Sequence, residues 1–176
     1  MTAYPHNVTI SGKAPWPWTP RWVHVEDEKY LKISRQLSFR WDSFVAKDLS
    51  RNVIFTLKKQ GLFSPTYNLQ DENNTVASLR RAQLGHWVCE LPDCVIEVYR
   101  LSGSKCVISK GGSQVAIMSV QSGIRLLNDH KVHIRVNEAP YLHLSIAVAL
   151  LIDDFNLQLD TKLFRRQSEV STLQPG

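Results

Sequence analysis

With 176 residues and 43% hydrophobic content, the chain has the length of a single domain and enough apolar side chains to bury a sizeable core. A net charge of +5 leans toward anionic partners such as phospholipid headgroups or nucleic acid, but no block reaches the roughly five like charges of a polybasic arm, so any anion site must be assembled by folding. The start MTAYPHNVTISGKAP lacks the apolar centre of a signal peptide, and no stretch is long enough to span a bilayer, which points to an intracellular protein, cytoplasmic or peripheral to a membrane.

Residues 1–30 read as an extended segment dominated by Pro15-Trp16-Pro17-Trp18-Thr19-Pro20-Arg21-Trp22, where proline favours a polyproline-like path over helix or central strand. Trp16, Trp18 and Trp22 need cover. Either they strap the outside of the domain, which is the favoured reading, or they dock in the aromatic groove of a partner.

Hairpins begin at Leu31. Leu37, Phe39, Trp41 and Phe44 to Ala46 lead into the polar turn Lys47 to Asn52, after which Val53, Phe55 and Leu57 alternate with more polar neighbours. Pro65 to Gln70 and Thr75 to Ala82 flank Asp71-Glu72-Asn73-Asn74. Trp87 to Leu91 and Val95 to Leu101 flank Pro92-Asp93, and Ser104 to Lys110 and Ser113 to Gln121 flank Gly111-Gly112. Gly123 to Leu127 and Lys131 to Asn137 bracket a last polar turn. Some ten strands result. Cys89, Cys94 and Cys106 fall within this region; an odd number without CxxC spacing argues for reduced, partly buried thiols over a disulfide framework or zinc ribbon.

The run Tyr141 to Ile152, YLHLSIAVALLI, breaks the pattern. As a helix it is apolar around its circumference except at His143 and Ser145, so it has no face for water. Twelve residues rise about 18 Å, short of the roughly 20 residues a bilayer requires, so a buried helix is the reading, with Leu142, Leu144, Ile146, Val148 and Leu151 in the core. Asn137 or Glu138 suits the N-cap and Pro140 the first turn. Asp153 and Asp154 oppose the helix dipole at the other end. They are read as solvating the exit, with pairing to a basic rim residue as the alternative.

A β meander followed by a helix with no polar face is satisfied if the sheet closes and the helix threads it, and closure also removes exposed sheet edges. The fold expected is therefore mainly β, a closed antiparallel barrel around a central hydrophobic C-terminal helix. The ending YLHLSIAVALLIDDFN resembles the terminal helix of the tubby C-terminal-like superfamily, particularly its LURP-one-related branch and more distantly the phospholipid scramblases. DLSRNVIFTLKK and TYNLQDENNTVASLRR resemble two hairpins of that branch. The resemblance implies about twelve strands, with the barrel over residues 31–160, the helix over 140–154 and a flexible tail over 161–176. It also implies a binding module without a catalytic site or cofactor.

Tubby proteins bind phosphoinositide headgroups through surface Lys and Arg. By position in the hairpins the resemblance points to Lys58, Lys59, Arg80 and Arg81 for an anionic phospholipid or phosphoinositide. Neighbouring residues on a strand face opposite ways, so Lys58 and Arg80 are the outward members if Phe55, Leu57, Ala77 and Leu79 point inward. Charge-assisted hydrogen bonds from Lys and Arg make such a patch adequate for a headgroup. The alternative is a protein-interaction platform with the Trp-rich segment and the tail Leu163 to Gly176 as contacts. Nucleic acid is the weaker partner class, since Tyr99-Arg100 alone is thin support.

No catalytic pattern competes. His6, His24, His86, His130, His133 and His143 include no HExxH, and His130 with His133 lies beside no Cys or carboxylate framework, so no metal site is expected. His143 reads as a core histidine bonded to backbone. GxSxG, P-loop and GxGxxG patterns are missing from the sequence.

Overall fold

A computed structural model describes residues 5–12, 19–37, 42–61, 66–71, 74–83, 85–102, 105–121 and 130–153. Twelve antiparallel strands form a closed barrel: β1 (His6–Gly12), β2 (Arg21–Val25), β3 (Glu28–Leu37), β4 (Asp42–Lys47), β5 (Val53–Gln60), β6 (Thr66–Asp71), β7 (Asn74–Gln83), β8 (His86–Glu90), β9 (Val95–Ser102), β10 (Lys105–Lys110), β11 (Ser113–Gln121) and β12 (His130–Val136). Each strand pairs with its neighbours in sequence. β1 and β12 close the ring from His6 opposite Val136 to Gly12 opposite His130.

The barrel therefore starts at His6, and residues 6–12 and 21–25 are strands of it, where the sequence suggested an extended segment ahead of Leu31. β12 pairs with β11 and β1, from Ala116 opposite Val136 to Gln121 opposite Lys131. The strand expected at Gly123 to Leu127 lies outside the described residues.

Turn chemistry follows the residues. Glu26 and Asp27 take φ of 49° and 66°, the pair of left-handed conformations that joins β2 to β3 in a two-residue hairpin, and the backbone N–H of Asn7 donates to Glu26 Oε1 at 2.7 Å to hold it there. Gly111 and Gly112 make the same kind of turn at 55° and 83°.

A 3-10 turn (Ala139–Tyr141) leads into α1, residues 142–153. Every residue from Leu144 through Asp153 is buried, with no solvent-facing stripe. The inward residues of all twelve strands and those of α1 form one core, in which Ile146, Ala147, Ala149 and Leu150 have no exposure. The helix fills the barrel. Leu144, Ile146, Val148 and Leu151 stand in that core as expected, and Leu142 is half-buried against it.

Candidate functional site at the basic mouth

The antiparallel meander collects alternate strand ends at two mouths. At the mouth near Asp153, the chain places Arg21, Arg35, Lys58, Lys59, Arg80, Arg81, Arg100, Lys105 and Lys131 within the first or last four strand residues, against Asp42, Asp153 and Glu90, whose carboxylate reaches Arg80 from β8. At the mouth where α1 begins, the strand ends and turns carry Glu26, Asp27, Glu28, Asp48, Asp71, Asp93, Glu97 and Glu138, against Lys29, Lys47, Arg51, Lys110 and Arg135. The described strand ends thus form a basic end and an acid-rich end.

Some of the basic-mouth cations are aimed inward. Arg21, Arg35, Lys59, Arg81 and Arg100 each stand two residues beyond a buried lumen residue, namely Val23, Ile33, Leu57, Leu79 and Val98, so alternation turns them toward the barrel axis. This is the end of the barrel that holds Asp153, the last described residue of α1. Arg21 makes the closest contact, donating from Nη1 to Asp153 Oδ2 at 2.8 Å, with side chains 18% and 1% exposed. Asp153 therefore does not solvate the helix exit. A carboxylate this buried needs a charged partner, and β2 supplies it.

The four residues nominated from sequence all lie at this mouth, on β5 and β7 with β6 between them. Lys58 and Arg80 face outward, Lys58 opposite Asn68 and Arg80 opposite Thr66. They are not equivalent. Arg80 is held by Glu90, with Nε and Nη2 both 3.2 Å from Oε1, and both side chains are 52% exposed. Lys59 and Arg81 are half-buried on the lumen side, and Arg81 Nε donates to the Gln83 carbonyl at 3.3 Å. Sequence reading did not assign Arg35, Arg100, Lys105 and Lys131 to this patch; they are isolated in the chain, and Arg100 and Lys105 meet across the β9–β10 hairpin.

Apolar and aromatic side chains sit among these cations. Leu101 is 61% exposed beside Arg100, and Tyr99 stacks on His86 with centroids 4.4 Å apart. Trp22 is a strand residue, half-buried on the outer face of β2 with Lys29 and Lys32 ammonium groups 5.0 and 5.7 Å from its ring centroid. Trp16, Trp18 and the tail 161–176 lie outside the described residues.

The opposite mouth is held by weaker polar contacts. Tyr30 Oη and His143 Nε2 lie 2.8 Å apart, and the imidazole packs between Tyr30 and Phe55 at centroid distances of 6.0 and 5.8 Å. The expected backbone partner of His143 is thus a tyrosine hydroxyl. Burial pushes the imidazole below its ordinary value, partly opposed by the charge of Asp71. Lys110 donates to Tyr141 Oη at 2.6 Å, a bond that raises the lysine. Cys89 and Cys106 are buried thiols, and desolvation pushes Cys89 up to about 12, which leaves no thiolate for nucleophilic chemistry at neutral pH. His133 meets Thr9 Oγ1 at 3.2 Å, and no cluster of three metal-ligating side chains occurs among the described residues.

No family model and no curated protein matches the chain. Among solved structures, it is similar to the X-ray structure of a protein from Arabidopsis thaliana, with a TM-score of 0.60 and 19% identity over 87% of this chain and 92% of that one. This likeness establishes the barrel architecture.

Proposed function

We propose that the chain is a non-enzymatic binding module of the LURP-one-related kind, docking on anionic phospholipid headgroups, phosphoinositides among them, through its basic mouth. The observation that carries this reading is the segregation of charge, with nine basic residues against three acids at one end of the barrel. Lys58, Lys105 and Lys131 are exposed there and satisfy no internal ion pair among the described residues, so they remain available to phosphate oxygens. Exposed Leu101 and the amphipathic Trp22 and Tyr99 favour a headgroup layer over a free anion in solution, since such side chains settle at a bilayer interface. No described helix is long and apolar enough to cross a membrane, and a surface attachment needs none.

Sedimentation with vesicles tests the reading. The intact chain should pellet with phosphatidylserine or phosphoinositide vesicles, stay in solution with phosphatidylcholine, and lose binding as salt rises. Reversal of Lys58, Lys105 and Lys131 to Glu should weaken binding on the order of a hundredfold, at about 1 kcal/mol per charge. Reversal of Lys47 and Arg51 at the other mouth should leave most of it intact. Equal losses from both reversals, or binding indifferent to salt, would refute a basic-mouth headgroup site; a discrete protein partner without lipid affinity would point to the platform reading.

A further inference from the structure

Beside the start of α1, on the acid-rich mouth, a cavity of about 240 Å³ opens between the helix and strands β5 to β7. Its surface is mostly apolar, with Phe55, Leu69, Ala77 and Leu144 in its walls and Val76 at its edge. An engineered cavity of about 150 Å³ suffices for benzene, so this one has room for an aromatic ring with a short arm.

Two polar features break the apolar lining. His143 presents an imidazole that burial holds on the neutral side. Asp71 is the acid among the lining residues; it is exposed, and its carboxylate makes no hydrogen bond or ion pair with a described residue. The surrounding turns add Glu26, Asp27, Asp48, Asp93 and Glu138, which raise the local concentration of cations near this end. The neighbourhood already holds one ammonium, since Lys110 Nζ lies 5.4 Å over the Tyr141 ring.

We infer that this cavity binds a small organic cation, an ammonium group on a short arm carrying one aromatic or compact apolar ring. The ring displaces water from the apolar walls, and the ammonium meets the Asp71 carboxylate at the edge in a charge-assisted hydrogen bond. An anion of the same shape would place its charge against Asp71, and a neutral analogue would leave that carboxylate without a counter-charge. The site is independent of the headgroup reading, because it occupies the other mouth.

Titration of the full chain with 2-phenylethylammonium and, separately, with 3-phenylpropionate, followed by amide chemical shifts and melting temperature, tests the inference. The amine should bind saturably with a dissociation constant of about 1 mM or below and move the amide signals of Val76, Ala77 and Leu144, while the carboxylate binds at least about tenfold more weakly. Asp71→Asn should collapse that difference. Val76→Trp, a substitution at a partly exposed position, should block the amine while the circular dichroism spectrum stays that of the parent. Absence of saturable amine binding, equal or tighter binding of the carboxylate, or undiminished amine binding to folded Val76→Trp would overturn it.

Discussion

The two mouths of the barrel are made by the same strand grammar, yet they close on opposite chemistry, and the helix between them accounts for much of the contrast. At one mouth the buried Asp153 of α1 is negative and Arg21 meets it; at the other, the positive end of the helix dipole faces turns rich in Asp and Glu. Charge at a mouth therefore has a structural part that serves the helix. This separates the cations into two sets. Arg21 is committed to the helix through Asp153 and the other inward cations face the lumen, whereas Lys58, Lys105 and Lys131 face outward and are surplus to folding. The surplus set is the one available to phosphate oxygens.

The most disruptive test removes the helix that both mouths share. Ala147 has no exposure, so Ala147→Arg buries a charge with no partner at a cost of several kcal/mol, a large share of a typical stability of about 5 to 15 kcal/mol. Loss of the folded circular dichroism spectrum is expected. A variant that stayed folded would mean that the helix does not fill the barrel, and the comparison of mouths would lose its basis.

A smaller loss should distinguish committed from surplus charge. Asp153→Ala leaves Arg21 without its carboxylate in a mostly buried setting, and removing one member of such a pair costs about 3 kcal/mol. Urea unfolding should register this as a lower midpoint, whereas Lys58→Ala, on the exposed outer face, should stay within about 0.5 kcal/mol of the parent. Similar losses from the two would erase the division.

This division was only half legible in the sequence. The run Tyr141 to Ile152 announced its burial because no side of it tolerates water, and Gly111-Gly112 announced a hairpin because both glycines adopt positive φ. β1 and β2 were hidden. Each is short, with two lumen residues (Val8 and Ile10, Val23 and Val25), and the proline and tryptophan between them dominate the local pattern. The partner of β1 is β12, at the far end of the chain, which no local signal specifies. Lys58-Lys59 and Arg80-Arg81 drew notice as adjacent pairs, but Arg100 and Lys131 become neighbours of that patch only after closure. A usable signal existed: a basic residue two positions beyond the last buried apolar residue, repeated on strands running the same way. Asp153 was misread because its partner, Arg21, lies in the segment whose strand character was missed.

The acid-rich mouth predicts a pH dependence of its own. Burial holds the folded pKa of His143 below its ordinary 6.5, so the unfolded chain takes up a proton that the folded chain resists. The contribution is present above about pH 6.5 and declines as pH falls from there toward the depressed folded value; below that value both states are protonated and the loss stops. Tyr30 and Phe55 pack on the imidazole, and Asp71 moderates the shift. Urea midpoints should fall between pH 7 and 5, and His143→Phe should flatten this slope while leaving vesicle binding at the other mouth unchanged at neutral pH.

The smallest expected effect on stability belongs to the exposed pair of Arg80 and Glu90. Glu90 holds Arg80 from the outer face of β8, and both side chains are half exposed, so the pair contributes about 0 to 1 kcal/mol to folding. Glu90→Gln should barely move the melting temperature. It nevertheless removes a negative charge from beside the basic mouth and releases an outward arginine, adding about 1 kcal/mol, or roughly fivefold, to binding of anionic vesicles at low salt. A gain in binding without a change in stability is what a surplus, outward charge produces. If Glu90→Gln instead lowered stability and left binding alone, Arg80 would belong with Arg21 among the residues committed to the fold, and the headgroup surface would contract to the lysines of β5, β10 and β12.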